Sequence, residues 1–292
     1  MKMSGNVADC DLQISLQNQS TKRQIKLVGF GGGWMDAIKT LERLARQARE
    51  RQDSQPVQLP VWPDSKRAAP HLAFRSALFP ALGKGPRQQL NEELIYSVGS
   101  VEIRFTGRQF DQSDLDVWLQ ILHAMRGQHA ASFSANAMLD ALGRKAGGSD
   151  HAWLRESIDR LTDGTVRIIS ENRRYSGHLV DSVDEDVTSQ QYSLSLNPKL
   201  VRLFLAGWSS LVCDYRRQLK SPTAKSLHAY YSSHINPGFH RWETLASVVG
   251  AKDTNKRRQR ARLKSAIEDL VAVGFLSGYS DTDQGVTVIK AG

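Results

Sequence analysis

Six basic side chains fall between positions 256 and 264: Lys256, Arg257, Arg258, Arg260, Arg262 and Lys264. On a helix they would point in most directions around the axis, so no single packed face can absorb them. Clustered arginine suits bidentate hydrogen bonding to phosphates and base edges, which a lysine ammonium makes less specifically. Lys252, Thr254 and Asn255 lie just upstream and extend the same surface. Downstream, Leu263, Ile267, Leu270 and Val271 form an apolar stripe. Stepping that stripe back from Leu263 by four and seven residues reaches Gln259 and Lys256, which are polar. The pattern predicts a helix capped by Thr254 and running to Val273, its second half packed and its first half projecting. Cations at a helix start oppose the helix dipole, and such a misfit is expected where function overrides local stability. The chemistry is contact with a polyanion, with the helix N-terminal half in the major groove of duplex DNA.

No comparable signal points to catalysis. Gly31-Gly32-Gly33 is followed by no Gly-Lys-Ser/Thr, so it reads as a hinge rather than a phosphate loop. The 8 histidines include no His-apolar-His metal triplet, which weighs against a tyrosine nickase built on Tyr230-Tyr231. Cys10 and Cys213 are too isolated for a disulfide framework or a zinc knuckle. Carboxylates are scattered, and no acid/base pair stands out. The expectation is a protein that is not an enzyme and uses no cofactor and no metal.

Charge distribution supports the polyanion reading. The chain of 292 residues carries a net charge of +9. Residues 1–87 and 215–292 each balance at +7, and residues 88–214 at −5. Two basic segments flanking an acidic middle form an electrostatic footprint for nucleic acid. The longest apolar-leaning run, Leu203 to Cys213, contains two serines and is too short to span a bilayer. No secretory h-region follows Met1, so the expected location is the bacterial cytoplasm, away from any membrane.

Four segments must position these residues. Residues 1–57 read as an N-terminal arm, partly disordered, with an amphipathic basic helix over 34–52 carrying Ile38, Leu41 and Leu44. Residues 58–87 read as an extended linker, because prolines at 60 and 63 block a helix. Residues 88–214 begin with a hairpin, 93–98 and 101–106, around Gly99-Ser100. Three helices follow: one capped by Ser113, one over 133–142, and one from Ser149-Asp150 to Leu161. Strands 165–169, 178–180 and 191–196 complete the segment, with Arg173-Arg174 at the tip of a wing. Arg155 on the third helix and Arg173 and Arg174 are auxiliary candidates for DNA contact.

Residues 215–292 repeat the plan. A helix starts at Ser221-Pro222, with proline well placed at its first position, and runs to about His234. A short helix spans 242–249, the cationic helix follows, and a hairpin is formed by 275–279 and 286–289. The expected fold class is α+β: tandem winged helix-turn-helix domains with a flexible N-terminal arm. The third helix of the first copy, mixed in charge, would serve packing, pairing or weak DNA contact, and the second domain would bind DNA principally. The same fold would serve a transcriptional repressor acting as a dimer on a palindromic operator.

Several short stretches resemble the TrfA family of plasmid replication initiators. They are Trp62-Pro63-Asp64, Arg75-Ser76-Ala77-Leu78-Phe79, Phe105-Thr106-Gly107 followed by Val117-Trp118, Leu203-Phe204-Leu205-Ala206-Gly207, Ser221-Pro222-Thr223-Ala224-Lys225 and Tyr231-Ser232-Ser233-His234. The resemblance implies monomers bound to directly repeated origin sites (iterons), with a monomer–dimer equilibrium, through the first domain, holding the protein in check. It further implies melting of origin DNA, contact with single-stranded origin DNA, and recruitment of the host initiator DnaA, the replicative helicase and the polymerase sliding clamp. The family's clamp-binding pentapeptide would fall on Gln58, Leu59, Pro60, Val61 and Trp62. Gln58 and Leu59 match it; Pro60 and Trp62 depart from it.

Overall fold

The computed structural model describes residues 38–47, 59–83, 85–128, 130–170, 173–251 and 255–291. The chain divides into two units, 1–55 and 56–292. In the first unit, α1 (38–47) lies within the predicted amphipathic helix, and Ile38, Leu41 and Leu44 on it are exposed. The rest of the expected arm, together with Gln58, Lys252 and Thr254, lies outside the described residues.

The second unit starts with a correction. Residues 58–87 were expected to be an extended linker, yet Leu59 and Trp62 are each only 3% exposed and belong to an apolar core. Two prolines forbid a helix but do not forbid burial, because an extended segment can still insert alternate side chains. The Trp62 indole donates to Nδ1 of His123 at 3.0 Å and stacks on Phe204, and its carbonyl accepts from Arg126. The chain continues as β1 (Lys66–Pro70) and α2 (His71–Phe74).

Next come β2 (Gln89–Ile95) and β3 (Glu102–Arg108), the predicted hairpin. Helix α3 (Gln112–Ala124) is capped by Asp111 rather than Ser113, in a reciprocal capping box with Asp114. Leu115, Trp118, Leu119 and Leu122 are buried on it. Phe133 and Ser134, expected to open a helix, instead end β4 (Ala130–Ser134), and Ser134 then caps α4 (Ala135–Ala141). Helix α5 (Gly148–Asp163) begins slightly earlier than expected, at a Gly147 N-cap. Its Arg160 reaches Asp114 at 2.8 Å, and Ser157 donates to the same carboxylate at 2.6 Å. Asp114 is wholly buried, so one side chain both caps α3 and ties α5 to it. Removing one member of such a pair strands the other charge, which costs several kcal/mol.

Strands β5 (Thr165–Ser170) and β6 (Arg173–His178) join the first hairpin in a four-stranded sheet ordered β2-β3-β5-β6. The return strand was expected at 178–180; instead it ends at His178, and Leu179 and Val180 are buried after it. Strands β7 (Ser182–Asp186) and β8 (Gln191–Ser195) pair with β4 as a separate sheet ordered β4-β8-β7. A short helix α6 (Pro198–Val201) and a 3-10 turn (Arg202–Ala206) lead to β9 (Trp208–Val212), which pairs antiparallel with β1.

Helix α7 (Cys213–Gln218) connects to the second core. Ser221 caps α8 (Pro222–Ser232) with Pro222 at the first position, as predicted. Then come β10 (Gly238–Arg241), α9 (Trp242–Val248), α10 (Lys256–Ala272), β11 (Leu276–Asp281) and β12 (Gly285–Lys290). The last sheet is ordered β10-β12-β11, the same plan as β4-β8-β7. The fold is therefore a mixture of helices and small antiparallel sheets around two apolar cores.

The 59–82 segment touches both cores. Beyond β1, Arg75 donates to the Ser233 hydroxyl at the end of α8. Ala81 N–H donates to the Val249 carbonyl at 2.8 Å. Gly250 has φ +67°, and a Cβ there would lie 2.5 Å from that of Pro80, so only glycine lets the strap approach this turn.

His228 on α8 is wholly buried, edge-on to Phe275 and Tyr215, and neither ring nitrogen has a hydrogen-bond partner among the described residues. Burial pushes its pKa down to about 3. Below the ordinary histidine pKa of about 6.5 the unfolded chain takes up a proton that the folded chain refuses. Stability is thus expected to fall by up to ~1.4 kcal/mol per pH unit between about 6.5 and 3. His123 and His240, both depressed to about 4 chiefly by burial, act in the same direction. Urea midpoints at pH 7 and pH 5 should therefore differ less in His228→Leu than in the parent chain; identical differences would contradict this assignment.

Candidate nucleic-acid interface

Helix α10 starts where Asn255, not Thr254, turns the backbone. Its side chain accepts the Arg258 amide at 3.0 Å, satisfying a donor the helix cannot satisfy itself. Leu263, Ala266, Ile267 and Leu270 are buried against the second core. As the stripe predicted, the first turns project: Lys256, Arg257 and Arg258 are exposed.

The other cations of α10 are not presented in the same way. Arg260 donates to Asp283 at 2.9 Å, to Asp281 at 3.2 Å and to the Thr282 carbonyl at 2.9 Å, and its guanidinium lies 5.3 Å from the Trp242 ring centre. Lys264 reaches Asp281 at 3.3 Å and sits over the Tyr279 ring. These bonds hold the Asp281 carboxyl below the usual carboxylate range. Arg260 and Lys264 therefore fasten the β11–β12 hairpin to the helix, which narrows the expected DNA-contact set of six cations to those not committed to the hairpin. A count of cations could not reveal this, because the fastening acids lie more than 15 positions downstream in a turn that looks solvated. Arg262 is exposed and also engaged in an interaction of its own.

The first core repeats this arrangement with opposite emphasis. Arg155 on α5 makes a two-pronged pair with Glu185 of β7, at 3.0 and 2.5 Å, and Tyr192 donates to the same carboxylate. The arginine is thus committed to the β7–β8 hairpin. Glu185 sits among Asp184 and Asp186 on that strand. Arg174 is exposed on β6, and Arg173 opens that strand. Both lie beside the turn of the β5–β6 hairpin that follows α5, and this hairpin belongs to the four-stranded sheet. The hairpin that matches β11–β12 in sheet order is β7–β8, and it carries acids.

Of the peptide 58–62, Leu59 and Trp62 are buried and Val61 is 79% exposed. Two of its side chains are thus occupied by this chain's own core, which corrects the expectation that they are accessible to a clamp. Among the described residues no group of three or more His, Cys, Asp or Glu side chains could hold a metal ion, and no helix is long and apolar enough to cross a membrane.

Comparison with known proteins places the chain in a family. A family model described as TrfA protein matches residues 36–287. The plasmid replication initiator protein TrfA of Escherichia coli is 28% identical over 231 residues, 74% of this chain. The chain spans 59% of that relative's length. Among solved structures, domains 2 and 3 of RctB give a TM-score of 0.48 at 15% identity, covering 75% of this chain and 95% of theirs. The Pi initiator protein in complex with iteron DNA gives 0.42 at 13% identity, covering 56% and 82%. With TM-scores below 0.5, these two are partial likenesses.

Proposed function

The chain belongs to the TrfA family, and on that premise we propose that it is an initiator of plasmid replication that binds repeated sites in origin DNA. One observation carries this reading: Lys256, Arg257 and Arg258 project together from the start of a helix whose remainder is buried. Such a helix start presents donors to base edges and phosphates while its body is fixed by the core. The name of the Escherichia coli relative supports the assignment to replication. Binding rather than catalysis is the mode of action, and the bacterial cytoplasm is its place.

In this proposal both halves are winged helix-turn-helix domains. Supporting that view, each has a first helix, a strand, a short helix, a longer helix and a hairpin, with matching sheet orders β4-β8-β7 and β10-β12-β11. The second half reads DNA principally. The first contributes less, because Arg155 is already paired and its hairpin is acidic. Melting of the origin and recruitment of DnaA and the replicative helicase are proposed as its downstream steps. Clamp recruitment through Leu59 and Trp62 would require the strap to leave its core.

The test is a mobility shift of the full chain on directly repeated origin duplex and on a scrambled duplex, beside a sizing column. A ladder of discrete complexes formed by monomer on the repeats is the expected result. A single complex formed by a dimer on one palindrome would overturn it in favour of an operator-binding repressor.

A further inference from the structure

A cavity of about 190 Å³ opens between α3, the turn after α4, β9, α7 and the start of α8. Its charged lining is Arg67, Asp116, Arg216, Arg217 and Lys225, with the Cys213 thiol beside them. Four cations thus face one carboxylate, and that carboxylate is already engaged. One oxygen of Asp116 accepts from Arg216 and the other from Lys225 at 2.7 Å. Arg216 is otherwise held by Gln112 and by the Lys225 carbonyl, and is 5% exposed.

Arg67 and Arg217 are left without an equivalent counter-charge. The hydrogen-bond partners of Arg67 are neutral acceptors: the Gln120 amide oxygen at 2.6 Å and the carbonyls of Asp64 and Lys66 at 2.7 and 2.8 Å. Arg217 donates to the Ala141 carbonyl at 3.2 Å and sees Asp214 only at 3.8 Å, with both side chains largely open to solvent. A screened pair at that distance contributes little. Burial is the main cause that moves the Arg67 pKa downward; Cys213 and Asp64 oppose the shift, and repulsion from Arg217 and Arg126 adds to it.

We propose that this cavity is an oxyanion site that takes a phosphate group between Arg67 and Arg217. Guanidinium groups bind tetrahedral oxyanions through paired N–H donors, and the charge of a phosphate group, single in a diester and at least double in pyrophosphate, offsets the excess of cations. The phosphate has two possible sources, a free phosphate or pyrophosphate and a phosphodiester of bound DNA. The second source rests on the DNA-binding function proposed above.

Two arms of one experiment separate the sources, using the full chain, Arg217→Gln and Arg217→Lys. Isothermal titration with inorganic phosphate and pyrophosphate at low ionic strength forms the first arm. The salt dependence of binding to repeat-bearing duplex forms the second. Loss of at least about fivefold in pyrophosphate affinity on Arg217→Gln, with recovery on Arg217→Lys, establishes a free-anion site. No uptake of free anion, but a duplex salt slope about one unit shallower in Arg217→Gln, establishes a backbone-phosphate contact. Equality of Arg217→Gln and the parent chain in both arms overturns the proposal. Were the parent chain to ignore duplex altogether, the DNA-binding reading would fail, and the titration arm alone would decide the cavity. Unchanged thermal melting of both variants confirms that the readouts report binding.

Discussion

Replacing Lys256, Arg257 and Arg258 together with alanine is expected to weaken binding to repeat-bearing duplex by about a thousandfold near 100 mM salt. Each lost base or phosphate contact costs roughly 1–3 kcal/mol, and three such losses fall in that range. The slope of log K against log salt should also become shallower by about 2.7, since each neutralised phosphate contributes about 0.9. The three side chains are exposed and the buried stripe starts only at Leu263. Alanine favours helix more than the residues it replaces, so circular dichroism and thermal melting should stay close to those of the parent chain. Fluorescence anisotropy on labelled duplex supplies the affinity. A loss smaller than threefold would remove α10 as the reading helix. Arg260 is left out of this variant deliberately: its bonds to Asp281, Asp283 and Thr282 mean that its removal loosens the hairpin, and a binding defect would then have two causes.

The second large effect is on stability. Trp62→Ala is expected to lower the free energy of unfolding by roughly 3–5 kcal/mol, as for other large aromatic truncations in packed cores. The ring is 3% exposed, stacked on Phe204 with planes 3° apart and tilted against Trp208, and its loss leaves Nδ1 of His123 without a donor. Urea denaturation measures the change. A loss below about 1 kcal/mol would mean that the segment peels away readily and is held by β1 alone.

Helix positions in the second half were legible because local signals agreed there. Ser221-Pro222 marks a helix start by two independent rules, and the apolar stripe of α10 gives both its buried half and its projecting half. In the first half the signals competed. Phe133 looked like the opening of a helix because apolar residues follow it, but it pairs with Tyr192 of β8, a partner nearly 60 positions away. Likewise β5–β6 reads as the hairpin following a third helix, and only long-range pairing of Thr165–Ile169 with β3 assigns it to the other sheet. The buried tie of Asp114 to Arg160 was invisible for the same reason: each residue alone reads as an ordinary charge on a helix surface. Within the candidate interface, residue type predicted the exposed trio, whereas the pairing of Arg260, Lys264 and Arg155 with hairpin acids depends on folded geometry.

The strap at 59–82 bears on how the molecule can be dissected. It pairs with β9, grips the end of α8 and reaches the turn before α10, so a fragment beginning near residue 215 would lose the contacts that Arg75, Pro80 and Ala81 make to its elements. A protease cut in the 83–88 stretch would leave the two pieces clasped, whereas a cut before β1 would free Leu59 and Trp62 while β1 keeps its register. Calorimetry on the intact chain should accordingly register one melting event for residues 56–292, even though they enclose two cores, because neither core can come apart without unthreading the strand-like segment they share.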